Sequence, residues 1–273
     1  MRYRALHLAI ILTAAPLLSS ATARAERWVF DRPIEIPAGE QRLISVDEIH
    51  FTSKATIFLE GRLTLAARKI SAEPGAAILT AQVGKAPIGL ADGLPGASGG
   101  LLMLYVSEGF TGTLRVDLSG QSGGDGAAGD PGRPGVPGTP GHVIPFSFPI
   151  PQRCIFRGSA GGPGSPGQKG GNGGKGGDGG HVAVWLGKSA SAESGLQIAQ
   201  PHGGAAGLGG HGGAGGAGGG APAGNPPQCS PSPGAGPTGT PGQAGMPGAP
   251  GNDGKLDKRV LSPREVRSLI HAL

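Results

Sequence analysis

"GGNGGKGGDGGHVAVWLG", residues 170–187, passes within a few residues from nearly pure glycine to an apolar, β-branched segment. The glycine half keeps a register of three. Glycine stands at every third position from 120 to 141, 158 to 179, 204 to 219 and 236 to 254. A disordered linker has no reason to hold such a register, so the runs read as extended left-handed helices with three residues per turn. A helix of that kind makes no internal hydrogen bonds, and its amides must be satisfied by water or by neighbouring backbone. A side-chain-free stripe along one face lets another backbone come close.

Two assemblies use such a stripe: a collagen triple helix of three chains, or a bundle folded from one chain. The four runs are short, similar in length and separated by apolar linkers, which favours the single-chain bundle. Runs two and three carry two glycines per triplet in "GGNGGKGGDGG" (170–180) and "GGHGGAGGAGGG" (209–220), as central positions with neighbours on two faces require. Runs one and four carry proline in "GDPGRPGVPGTPG" (129–141) and "GTPGQAGMPGAPG" (239–251). Proline presets φ but removes a donor, so it suits an outward face.

On these triplets, which cover 120–254, the chain resembles bacterial collagen-like Gly-X-Y proteins. It resembles more closely polyglycine-II helical-bundle proteins, such as glycine-rich antifreeze proteins and phage tail adhesin tips. The resemblance implies an architecture. For function it implies ice binding in one case and cell-surface recognition in the other, and it transfers no site residue.

The linkers are of two kinds. The 181–202 linker holds the strand-like "HVAVWLG" and "LQIAQ", similar to "GTLRVDLSG" just before run one. The linkers at 142–157 and 221–235 hold Cys154 and Cys229. Up-down-up-down threading brings both Cys linkers to the far end, and in an exported chain these cysteines are expected to pair. Metal ligation is the alternative, with no matching His/Cys spacing to support it. Phe146, Phe148 and Ile150 alternate between prolines in the first of these linkers and form a candidate recognition tip, or else a plug for the end of the bundle.

Before the runs, residues 26–118 read as a β-rich region. "RLISVDEIHF", "ATIFLEG" and "RLTLAARKIS" place apolar residues two apart. Phe30, Ile34 and Ile36 recur 21 residues later as Phe51, Ala55 and Ile57, and Ile49, Ala55, Ile57 and Phe58 as Ile70, Ala76, Ile78 and Leu79. A short β-solenoid is expected, with an antiparallel sandwich as the alternative. After the runs, residues 255–273 form a tail whose "SPREVRSLIHAL" reads as a short helix. Ser262 is its N-cap, Pro263 its N1 and Glu265 its N3, with Val266, Leu269, Ile270 and Leu273 on one face. The expected fold is thus mainly β plus polyglycine-II: a short solenoid or sandwich, an antiparallel bundle of four glycine-rich helices, and a short C-terminal α-helix.

Residues 1–25 read as a signal peptide, with Arg2 and Arg4 before an apolar stretch and Ala23-Arg24-Ala25 before Glu26. The apolar stretch is too short to span a bilayer. Without that segment the chain holds 20 Lys and Arg against 18 Asp and Glu, with no basic block of the kind nucleic acid or anionic lipid requires. No integral membrane segment is expected after cleavage, and the chain would work in the periplasm, on the outer surface or outside the cell.

Other motifs carry less. "GGKGGDGGH" resembles a calcium-binding nonapeptide but has Gly180 where a large apolar residue belongs, and no tandem copy. "GLPGASGG" (93–100) lacks the Gly-Lys-Ser/Thr ending of a phosphate loop. His181, His202 and His211 stand near the runs without catalytic spacing. Asp31, Glu35, Asp47, Glu48, Glu60 and Glu73 offer carboxylates for a carbohydrate-active enzyme on the β region, although scattered strand acids are more often solvated. No catalytic, cofactor or metal residue is assigned. The expectation is an exported, non-enzymatic structural or recognition protein, a monomeric bundle with a cell-surface or matrix ligand. The alternatives are a collagen-like homotrimeric stalk, an ice-binding protein and the carbohydrate-active enzyme.

Overall fold

A computed structural model describes residues 26–80, 92–144, 151–192 and 195–272. The chain first forms β1 (Arg27–Phe30), β2 (Ile34–Ile36), β3 (Gln41–Phe51), β4 (Thr56–Leu59), β5 (Arg62–Ala72) and β6 (Ala77–Leu79). The long β7 (Leu101–Asp117) follows, then the short β8 (His142–Val143) and β9 (Cys154–Phe156). After these come β10 (His181–Gly187), α1 (Lys188–Ala192), β11 (Gly195–Ile198), β12 (Lys255–Leu261) and α2 (Pro263–His271). Ten strands make one curled sheet, in the order β1-β3-β5-β7-β6-β4-β2, with β10 and β11 added on β7 and β12 on β10. Every pairing in that sheet is parallel.

The 21-residue echo is visible in the strand register. Ile49 lies beside Ile70, Ile57 beside Ile78 and Phe58 beside Leu79. Phe30 lies beside Phe51, their rings stacked at 4.8 Å. The first echo slips beyond that pair: Ile34 lies beside Ile57 and Ile36 beside Leu59, because the chain takes two more residues from Phe51 to Ile57 than from Phe30 to Ile34. The walls meet along β7, whose first half pairs with β5 and β10 and whose second half pairs with β6 and β11. Gly112, at φ +80°, turns β7 from one wall to the other, and an added Cβ there would overlap the Ala72 carbonyl. Ile36, Ile49, Ile70, Leu104, Phe110 and Val184 are among the fully enclosed side chains between the walls. Outside the sheet, Val266 of α2 is buried against Ala66 and Tyr105, and Tyr105 stacks on Trp185 at 4.5 Å. Glu108 fixes the helix, accepting from Arg68 at 2.9 and 3.1 Å and from Arg267 at 3.4 Å. Ser262 caps α2 reciprocally with Glu265, while Leu269 is 38% exposed and does not join the buried face. Leu273 lies outside the described residues.

This architecture corrects the expected fold class and, with it, the resemblance to collagen-like and polyglycine-II bundle proteins. The organising element is a large, mainly parallel half-barrel with, among the described residues, two short α-helices, not a short β region followed by an antiparallel bundle of four helices. The physical reason lies in the apolar stretches around the glycine runs. Treated as linkers, they are strands of the main sheet: Val182, Val184 and Leu186 continue the wall begun by Leu63 and Leu65 across Leu102, Leu104 and Val106, and Leu256 follows on β12. The antiparallel sandwich is excluded by the parallel pairing.

The glycine runs contain neither α-helix nor strand. They are extended segments joined sideways by backbone hydrogen bonds at every third residue. Run two lies centrally. It donates to run one from Gly162, Ser165, Gln168, Gly171, Gly174 and Gly177, and to run four from Gly164, Gly167, Gly170, Gly173, Gly176 and Gly179. Run three donates to run two from Gly204 through Gly219, and accepts from run one on another side. A fifth segment, set aside above as a failed phosphate loop, also takes part: Gly93, Gly96 and Gly99 donate to Asn172, Lys175 and Asp178. Consecutive runs point in opposite directions, so this layer is stitched within one chain.

Candidate functional site

The layer leaves the sheet at Leu118 and reaches its far end near Gly141. Those points are 23 residues apart, which at ~3 Å per extended residue separates them by ~70 Å. At the far end, β8 and β9 pair antiparallel, and the Ile144 amide donates to the Arg153 carbonyl at 3.0 Å. A 3₁₀ turn over Pro227–Cys229 packs beside them. Cys154 and Cys229 form a disulfide with Cα atoms 5.1 Å apart, and Cys229 is buried. Gly141 is what admits it, since a Cβ there would lie 2.8 Å from Cys229 Sγ.

Side chains lock the two linkers further. Asn225 Oδ1 accepts from the Gly141 amide at 2.8 Å, and its Nδ2 donates to the Cys229 carbonyl at 3.3 Å and to Ser232 Oγ at 3.2 Å. Gln228 Nε2 donates to Gln152 Oε1 at 2.8 Å. On this braced base Ile155 and Phe156 stand 64% and 54% exposed, beside Ile144. Phe146, Phe148 and Ile150, the candidate tip residues, lie outside the described residues, as does the leader segment 1–25. Sequence reasoning missed Ile155 and Phe156. The available signal was "CIF", two large apolar residues directly after a cysteine already placed at this end.

The candidate acids lie at the surface, and three of them, Asp47, Glu48 and Glu73, have neighbours on it. Asp47 lies 3.7 Å from Arg68, and Glu48 lies 4.0 Å from Arg27. Glu73 accepts from the Ser53 amide at 2.8 Å and faces His50 at 3.5 Å, and the Ser53 amide foremost holds its carboxyl below the usual range. Asp31 and Glu35 are exposed and Glu60 partly so. Asp178, the acid of the nonapeptide-like stretch, accepts from the Asn252 amide at 2.8 Å and from Lys175 at 3.0 Å, which lowers its pKa. It ties run two to run four. His202 lies 3.4 Å from Asp253, while His181 and His211 are exposed. Among the described residues no three His, Cys, Asp or Glu side chains gather in metal-binding geometry. No described helix is long and apolar enough to cross a membrane. The disulfide is compatible with export. Compared with known proteins, the chain matches no family model, no curated protein and no solved structure.

Proposed function

We propose that the chain is an exported, non-enzymatic structural or recognition protein of the cell envelope or surface, in which the glycine layer carries a braced apolar tip away from the sheet. The carrying observation is the far end itself. A disulfide and the Asn225 and Gln228 bonds hold two linkers rigid while Ile155 and Phe156 stay in solvent. Exposed apolar side chains on a preordered base are favourable anchors, because little ordering cost remains on binding. The intrachain stitching of the runs supports a layer built by one chain over a homotrimeric stalk. Ile155→Ser and Phe156→Ser together test the reading, with co-sedimentation of the protein with the envelope fraction of the producing cell as the assay. Lost co-sedimentation with an unchanged melting temperature is the expected result. Unchanged co-sedimentation, or a loss of stability alone, would assign these side chains to closing the layer's end.

A further inference from the structure

The sheet ends differently on its two edges. At β12, Lys255, Lys258 and Arg259 are exposed along the outer strand, the usual guard against edge-to-edge pairing. At β1 the edge carries Trp28 and Val29, 46% and 47% exposed, and next to it Leu43 is 52% exposed. Trp28, Phe30, Ile34, Leu43 and Leu63 line an open cavity of about 510 Å³ there, the uncovered start of the core. Stacked parallel coils need a polar cap or a partner at such an end.

The backbone at this edge is set for one kind of partner. The Glu26 and Phe30 carbonyls accept from the amides of Glu48 and Thr52 at 3.1 and 2.9 Å, so they face inward toward β3. Strand groups alternate sides, which turns the amides and carbonyls of Arg27, Val29 and Asp31 outward to an edge that pairs with no other strand among the described residues. The sequence from Glu26 to Arg32 is ERWVFDR. Its charges are antisymmetric about Val29: acid, base, aromatic, Val, aromatic, acid, base.

We propose that two copies of the chain join at this edge, β1 antiparallel to β1 about a twofold axis through Val29. In that register Val29 forms a hydrogen-bonded pair with Val29 of the second copy, and Arg27 forms one with Asp31 of the second copy, using the outward backbone groups. Trp28 then lies opposite Phe30, and Glu26 opposite Arg32. Every charged residue of the stretch meets its opposite, and opposite-charge and aromatic cross-strand pairs are the stabilising ones. Glu26, Asp31 and Arg32 make no ion pair among the described residues, and Arg27 holds only a 4.0 Å exposed contact with Glu48. The second copy covers Trp28, Val29 and the open cavity, and the isologous contact closes as a dimer without polymerising.

Sedimentation equilibrium on the exported chain should give a dimer at tens of micromolar. Val29→Cys should form covalent dimers on air oxidation, since paired residues on the axis lie ~5.5 Å apart at Cα, whereas Leu43→Cys, off the axis, should not. Asp31→Arg should weaken the dimer about tenfold or more by placing like charges in both symmetry-related pairs. Adding Arg27→Asp should restore it. Val29→Pro removes only an outward amide and should give a folded monomer; if that variant fails to fold, the charge pair, which touches no backbone group, decides. A monomer throughout this range overturns the proposal. A dimer that is indifferent to Asp31→Arg, and that Val29→Cys does not crosslink, does so too, since it would use another surface.

Discussion

Replacing Gly174 by Val puts a side chain where run two is closely packed. Gly174 is buried, and an added Cβ would lie 2.5 Å from the Leu94 carbonyl carbon and nearer still to its oxygen. Carbon atoms rest at about 3.5–4.0 Å, so run two and the 93–99 segment must part by about 1 Å. Three hydrogen bonds run through the contact: Gly174 to Gly124 at 2.8 Å, Gly207 to Gly174 at 2.9 Å, and Gly124 to Leu94 at 2.8 Å. A 1 Å retreat takes them past bonding distance. At about 1 kcal/mol net for each lost bond, and more where a buried group is left unpaired, the cost is about 3–6 kcal/mol. For a chain of this size that lowers the melting temperature by on the order of 10–20 °C. Gly213→Val should behave alike, because its Cβ would meet the Asp130 carbonyl while Gly213 bonds Gln168 at 2.8 Å. Gly220 is the control: nothing lies within 4 Å of its Cβ position and its φ is not positive, so Gly220→Ala should be neutral or stabilise by about 0.4–1 kcal/mol. Scanning calorimetry on the three variants decides. Equal losses at 174, 213 and 220, or no loss at 174, would refute the assignment of close-packed faces.

Acid should loosen the layer. Asp178 and Asp253 have depressed pKa values, chiefly through the amides of Asn252 and Gly203, so their contribution is present above the ordinary range near ~4 and is lost as pH falls through the depressed values; Asp178→Asn should flatten the fall in stability measured by chemical denaturation below about pH 4. At the other end of the chain, Ser262→Ala removes the reciprocal cap on α2 and should cost about 1 kcal/mol in the same assay, with increased tryptophan exposure as α2 lifts from Tyr105 and Trp185.

The register of three is legible in the sequence because it is also the spacing of the lateral bonds: a glycine amide donates once per triplet on runs one, three and four. Prolines 131, 134, 137, 241, 247 and 250 fall on the positions between those donors. The capping box at Ser262 is local chemistry and equally readable. The Cys154–Cys229 pair follows from counting directions of travel, and Ile49 beside Ile70 from a short repeat. The main sheet is not readable in this way. The pairing of β7 with β10 joins Leu104 to Val184 and that of β10 with β12 joins Val184 to Lys258, partners about 80 residues apart that share no local signal. The segment at 93–99 escapes for another reason: three triplets between an apolar strand and residues of ordinary composition are too few to declare a period. At the tip, alternating Phe146 and Phe148 draw attention to residues the structure does not describe, while Ile155 and Phe156 look like ordinary strand residues.

Because each lateral bond joins residues at one height, the layer is divided into slabs. Gly126, Gly171, Gly210 and Gly245 belong to one such level, bonded through Leu208, Ala127, Gly171 and Gly210 in turn. A length change confined to one run would throw every level beyond it out of step. Removing one triplet from each of the four runs at a shared level beyond the 93–99 segment, by contrast, deletes a whole storey ~9 Å tall and leaves the base and the disulfide-tied roof with their own contacts. The reach of the tip is therefore an adjustable dimension of this protein, set in three-residue increments and independent of what stands at either end.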